Sequence, residues 1–419
     1  MLRRVAQLET NARRASARFT TWRLAIFAVG LFGSIIPHKL GWTLLGNATL
    51  AFSFMLFLIV AWHHNRLEDR LHRLRRWQGI KQVHLARMRL GWADIPFRPV
   101  PVPERHGYAT DLDLAGPHSL LHLINNTVSS QGQERLASWL FDQPPEPAQW
   151  AGRQALIREL TPLSLLRDRL SLEAQAVEDA DIDGRRLIAV LQKRVDSPSF
   201  MPMLLTETFL ALATAGLMLT DLVYGIGNYW MLSFGLYAFL FLSVRSRSEE
   251  IFDHAQSLHR QLERLSAVIG YLERRSYRAA PRLAELCRPL LQQDTSPSTS
   301  LKQAASVMNR LSVRAHPLVH YLINAFGPWD LYHTYRLQHL QDRIAAVAPQ
   351  WFELLAELDA AASLATFAYL HPDYPWPSLQ QPDDAAHLNG AGPILDAQGL
   401  AHPLIPAKAR VANHMVFQE

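Results

Sequence analysis

Four stretches of this chain are apolar on every side. Residues 24–36 and 43–62 form one pair, and residues 203–220 and 229–244 form another. A helix that packs on a core keeps a polar face for water, whereas one that is hydrophobic all round must be enclosed or lie in lipid. Residues 37–41, with Pro37 and Gly41, predict a tight turn in the first pair. Asp221, Gly225, Gly227 and Asn228 predict a short loop in the second. The pattern therefore predicts two helical hairpins. At about 1.5 Å per residue, the 43–62 run covers about 30 Å, one hydrocarbon core. The 24–36 run is shorter and needs snorkelling flanks or a thinned bilayer.

The flanks agree with a membrane. Trp22, Trp42 and Trp62 stand at the ends of the first pair, where aromatic belts form. Arg3, Arg4, Arg13, Arg14, Arg18 and Arg23 precede it, and Arg66, Arg70, Arg73, Arg75, Arg76 and Lys81 follow it. The turn holds only Lys39. Lys193 and Arg194 precede the second pair, and Arg245 and Arg247 follow it. The positive-inside rule places all four flanks in the cytoplasm, which predicts an integral membrane protein with N-terminus, body and C-terminus inside; a bacterial inner membrane is the expected location. Glu207, near the start of the third run, reads more simply as an interfacial acid than as an ion path.

Outside the apolar runs the periodicity is helical. Leu67, Leu71 and Leu74, then Trp77 and Ile80, give one apolar face. Ile251, Ala255, Leu258, Leu262, Leu265, Ile269 and Leu272 alternate steps of four and three, a coiled-coil seam that packs on a helix of this chain or of a second copy. Pro281 ends or bends that helix, and 292–300 reads as a Ser/Thr/Pro-rich loop. Residues 301–370 return to helix, interrupted at Phe326–Trp329 by Gly327 and Pro328. Prolines 372, 375, 377 and 382 mark a linker, and 392–395 and 411–417 read as short strands.

Composition sharpens this picture. Of 419 residues, 49% are hydrophobic and only 19% charged, below the roughly 25% of a soluble domain. The net charge of +5 is spread over the membrane flanks, which favours anionic lipid as partner. Cys287 is the one cysteine, so no internal disulfide forms. No Gly-Lys dipeptide, Cys-x-x-Cys or Gly-x-Ser-x-Gly occurs, which excludes a P-loop, a zinc knuckle and a hydrolase elbow within these residues. His316 and His320 have the spacing of a metal pair, but Pro317 lies between them and no companion acid follows the motif. Asp111 and Asp113 read as a cap for a helix beginning near Pro117. No catalytic or metal residue is assigned.

Three segments carry a resemblance. The first runs from Asp111-Leu-Asp-Leu through Asn125-Asn-Thr and Ser130-Gln-Gly-Gln-Glu-Arg-Leu-Ala-Ser-Trp-Leu to Arg153-Gln-Ala-Leu-Ile. Thr127 or Ser129 caps its helix, and Leu136, Trp139 and Leu140 share a face. The second is 355–374, with Glu357-Leu-Asp-Ala-Ala-Ala-Ser-Leu-Ala-Thr-Phe-Ala. The third is Ala401-His-Pro-Leu-Ile-Pro with Arg410-Val-Ala-Asn413. Together they resemble the helical core, and the opening of the ATPase domain, of MutS-type mismatch-repair proteins.

The residue pattern and the resemblance together imply a mainly α fold: two transmembrane hairpins, a cytoplasmic MutS-core-like bundle with a long coiled-coil-like helix, and a short β start of an ATPase domain. They divide the chain into 1–62 (hairpin), 63–104 (basic helix and linker), 105–199 (first half of the core), 200–244 (second hairpin), 245–375 (second half) and 376–419 (start of the ATPase domain). Arg410, Val411 and Asn413 would flank an adenine pocket. ATP and Mg would belong to the complete protein, with the chain ending before its Walker A loop and not hydrolysing ATP alone. A homodimer would form through that domain or through the 251–272 seam. The second hairpin stands where the family carries its DNA clamp, and an apolar hairpin lacks the Lys and Arg that phosphates need, so DNA binding is left open. The alternative from another class is a membrane scaffold that docks a partner on the seam.

Overall fold

The computed structural model describes residues 2–101, 108–142, 145–175, 183–192, 200–292, 296–311, 317–379 and 395–417. Among them the chain is mainly helical, with one two-stranded antiparallel ribbon. It divides into two units, 1–97 with 406–408, and 98–405 with 409–419.

The first unit is built on α1 (Leu2–Lys39) and α2 (Thr43–Arg89). α1 does not stop at Pro37. The proline lies in its last turn, and the C-terminal carbonyls of the helix find donors beyond it. Leu40 N–H donates to Ile36 (3.1 Å) and Trp42 N–H to Pro37 (2.9 Å). Gly41 sits at φ +80° between them, the left-handed conformation that closes a helix in this way. The turn is therefore 40–42. The first span is also not short, since Glu9–Pro37 is a 29-residue helix apolar enough to cross a membrane. α2 runs unbroken for 47 residues, about 70 Å, so the apolar run and the basic segment after it are one rod.

α1 and α2 close on each other along much of that length. A Cβ on Gly30 would overlap Ser53, so glycine is what allows this approach. Toward the basic ends the contacts become polar. Ser16 Oγ bonds Glu68 and lies 3.0 Å from His64 Nε2, and Arg75 donates to Glu9 at 3.1 Å. His64, expected only at an interface, is thus held by α1. Leu71 is buried, as its apolar face requires.

The second unit begins with α3 (Leu120–Ile124), α4 (Ser130–Phe141), α5 (Pro147–Leu160), α6 (Ser164–Ala174) and α7 (Gly184–Gln192). Ser119, and not Asp111 or Asp113, caps α3, accepting from His122 N–H at 3.1 Å. Ser129 caps α4, accepting from Gly132 N–H at 3.0 Å. The second hairpin follows as α8 (Phe200–Tyr224) and α9 (Trp230–Glu273). Thr214 and Ser233 hydroxyls meet across it at 2.7 Å, and Asp221 accepts Gly227 N–H in the turn at 2.9 Å. Met201–Tyr224 is long and apolar enough to cross a membrane, as is α2. The apolar part of α9, Trp230–Ser243, is shorter, about 20 Å. It runs without a break into the seam, so apolar arm and seam are one 44-residue helix.

The chain then forms α10 (Pro281–Leu291), α11 (Pro297–Leu311), α12 (Pro317–Phe326) and the 42-residue α13 (Trp329–Leu370). The loop expected over 292–300 is shorter. Pro297 opens α11, the position where its missing N–H costs nothing, and Glu273 from the end of α9 accepts Ser298 N–H at 3.0 Å. The core gathers on α13, where Trp351 and Leu337 are buried among Leu160, Leu166, Leu301 and Met308. Leu262, Leu265, Ile269 and Leu272 of the seam are fully buried in that same core, at about 1.5–3 kcal/mol per side chain. These four positions offer no surface to a second copy. The side chains of Ile251, Ala255 and Leu258 lie outside the described ones. β1 (Leu395–Leu400) pairs antiparallel with β2 (Asn413–Phe417), Leu395 opposite Phe417 and Leu400 opposite Asn413.

Candidate functional site

Two polar constellations stand inside the second unit, and both hang on α13. The first joins the halves of the chain that flank the second hairpin. The turn at Asn125–Ser129 exposes the N-terminal donors of α4, which need an acceptor. Asp359, in the middle of α13, supplies it. Its carboxylate accepts Val128 N–H at 3.0 Å, Ser129 N–H at 3.0 Å and Ser129 O–H at 2.7 Å. Ser363, one turn further, accepts Asn126 N–H at 3.2 Å. Gly132 is glycine because any Cβ there would run into the Asp359 carboxylate. Thr127 turns away and bonds Asn125 Oδ1 at 2.7 Å.

Asp359 is largely enclosed. It lines a cavity of about 40 Å³ with Gln131, Arg167, Ser171 and Phe352. Loss of hydration pushes its carboxyl up to about 6, against the pull of its hydrogen bonds and of Arg98. Arg167 braces the same junction. Its guanidinium is buried, donates to Thr366 at 3.0 Å and Thr161 at 2.7 Å, and bonds the Leu160 carbonyl. Burial lowers it to about 10, so it stays charged at neutral pH. Arg135 pairs with Glu353 and Glu357, and Glu159 accepts Leu283 N–H at 2.8 Å.

The second constellation sits where the second hairpin meets α12 and α13. His320 Nε2 lies 2.6 Å from Asp330 Oδ2. Asn324 Oδ1 accepts Asp330 N–H at 3.1 Å, satisfying a first-turn donor of α13. Tyr237 O–H donates to the Asn324 carbonyl, tying α9 to α12. Glu207 is not at a wet interface: it is 2% exposed, its Oε2 has no hydrogen-bond partner, and Asp330 acts on it electrostatically. Burying an acid this way is costly, which is why intramembrane acids face protein and not lipid. Periodicity missed this cluster because its members come from four helices. His333, one turn along α13, is fully enclosed, with ring centroids 4.4 Å from Trp329 and 5.0 Å from Tyr332. Burial and the nearby Arg310 and Arg336 lower it to about 4, so it is neutral at pH 7.

Of the residues expected at a nucleotide edge, Arg410 and Val411 lie in the connection between β1 and β2, and Asn413 opens β2 opposite Leu400. Arg410 donates to the Tyr374 hydroxyl oxygen, to Ile405 O at 2.7 Å and to Pro403 O at 3.2 Å. Val411 is exposed. Among the described residues no group of three or more His, Cys, Asp or Glu gathers as metal ligands. His316 lies outside them, and its proposed mate His320 pairs with Asp330 instead. Cys287 is buried, and burial raises its thiol to about 11, which makes it a packing residue.

No protein-family model, curated protein or solved structure matches this chain. The MutS resemblance therefore stands on its motifs alone. Among the described residues the chain is mainly helical, with three helices long and apolar enough to cross a membrane.

Proposed function

We propose that this chain is a membrane-anchored relative of MutS-type proteins, whose helical core is assembled from two segments on either side of a membrane hairpin. One observation carries the reading. The Asn125–Ser129 turn and the 355–374 helix, which bear the two core motifs of the resemblance, are latched to each other by Asp359 and Ser363. A core interrupted by a hairpin needs such a latch. A scaffold that offers its seam to a partner does not, and four seam positions here are already buried in the chain's own core.

On this reading both hairpins return the chain to the cytoplasmic side of a bacterial inner membrane, as the Arg and Lys flanks favour. ATP and Mg are the business of a nucleotide-binding domain in the complete protein, which also supplies the dimer contact. The apolar hairpin replaces a phosphate-gripping clamp, so DNA is bound weakly and without mismatch preference. Reading the gene past the Glu419 codon tests the family: a Gly-rich loop ending in Gly-Lys-Ser or Gly-Lys-Thr supports it, and a stop codon or an unrelated domain overturns it. Fluorescence anisotropy with mismatched and fully paired duplexes tests the DNA clause. A preference for the mismatch, in protein held in nanodiscs, would overturn it.

A further inference from the structure

The helix α12 is built inside out. Its polar side chains His320 and Asn324, four apart, are 6% and 2% exposed, while Leu318, Leu322 and Phe326, also four apart, are 88%, 60% and 84% exposed. A helix in water does the reverse. Leaving three such side chains in water forgoes the gain of burying them. Polar groups turned inward and apolar groups outward is the arrangement that lipid imposes.

Its place in the fold agrees. α12 packs against the arms of the second hairpin. Tyr237 of α9 bonds Asn324, and the Phe241 ring lies 6.1 Å from His320. Leu204, Leu205 and Thr208 of α8 face Ile323 and Phe326 across an apolar groove of about 600 Å³. Along α8, Thr208 is about 20 Å from Asp221 at the far turn, inside a hydrocarbon layer of about 30 Å. The hairpin side chains Leu205, Phe209, Phe239 and Leu242 are exposed as well, and Leu205 lines the same groove as Phe326 of α12. Ten residues cover about 15 Å, half a bilayer and too little to cross it.

We propose that α12 is a third membrane element, a half-depth helix whose Leu318, Leu322 and Phe326 face sits among lipid acyl chains beside the second hairpin. The proposal rests on the reading that this hairpin lies in the bilayer. It seals Glu207, His320 and Asp330 from the lipid side, and it connects lipid contact to α13 through the His320–Asp330 pair.

Site-directed fluorescence quenching in nanodiscs tests it. Single variants Leu322→Cys on α12, Leu212→Cys in mid-hairpin and Leu165→Cys, an exposed leucine of α6, are labelled with bimane and compared in ordinary and chain-brominated phosphatidylcholine. Buried Cys287 sets the background in the unsubstituted protein, and size-exclusion profiles confirm that each variant is folded. Quenching at position 322 as strong as at 212, and several-fold above 165, is expected. Position 322 behaving like 165 while 212 is quenched overturns the proposal and leaves the hairpin in place. Unquenched label at 322 that becomes shielded as protein concentration rises assigns the face to a second copy, and also overturns it. An unquenched 212 removes the hairpin reading itself.

Discussion

Replacing Asp359 with alanine takes away the acceptor for two backbone N–H groups and one hydroxyl at the start of α4. Ser129 still caps Gly132, but Val128 and Ser129 N–H are left enclosed without a partner, at about 1–3 kcal/mol each. The opposing gain is relief of a poorly hydrated carboxylate. Its rise from an ordinary value near 4 to about 6 corresponds to at most about 3 kcal/mol, at about 1.4 kcal/mol per pH unit, and less because the group touches a cavity. The net loss at neutral pH is about 2 kcal/mol. The sign with pH follows from linkage. A carboxyl whose value is raised in the fold contributes fully below its unfolded value near 4, and that contribution is lost as pH rises through about 6. Asp359→Ala is therefore more damaging at pH 5 than at pH 7.5. Tryptophan-monitored melting in detergent measures it, as the wild-type minus variant difference at each pH. An unchanged melting temperature at both values, or a penalty that shrinks toward acid, refutes the latch.

Four further outcomes are expected. His333→Phe flattens the acid side of the wild-type stability curve: a histidine held down near 4 gives stability that is lost as pH falls below about 6.5, worth at most about 3 kcal/mol, and melting at pH 5 against pH 7.5 reads the change. Gly132→Ala, which drives a methyl into Asp359, lowers the melting temperature by an amount comparable to Asp359→Ala, and the double variant shows clear non-additivity. Arg167→Ala strands the Leu160 and Thr161 carbonyls and costs about 3 kcal/mol, visible as earlier proteolysis of the body in detergent. Gly30→Leu separates α1 from α2 at Ser53, and a disulfide or cross-link scan along the two helices reports a wider, weaker contact there.

Much of the architecture was legible because lipid and water leave different periodicities. The all-round apolar runs at 43–62 and 203–220 announced α2 and α8, and the four-three alternation announced the buried seam positions 262, 265, 269 and 272 on α9. Cap chemistry was legible where one residue type suffices, as at Ser129. Most of the failures share a cause: they depend on what another segment brings. Pro37 looked like a terminator, but the helix runs on to Lys39 and closes only at the Gly41 turn. Residues 297–300 looked like loop, but they open α11, which Glu273 caps from the end of α9. Glu207 looked interfacial because its burial depends on α9 and α13, far away in sequence. Asp359 sat within a segment singled out for its motif, yet nothing local marks it as the acceptor for a turn more than two hundred residues earlier. α12 was hidden because its apolar spacing is that of any packed helix, and only the direction of its faces is unusual.

The central claim, that both apolar hairpins cross a bilayer and return the body to one side, is tested most directly by labelling intact cells with a membrane-impermeant maleimide. Cysteines replace Leu40 and Asn228 in the two turns and Glu353 on the body, with the buried Cys287 as background. Labelling at both turn positions, with position 353 protected until the cells are permeabilised, is the expected result. Equal labelling at all three positions, or protection of either turn, contradicts the account.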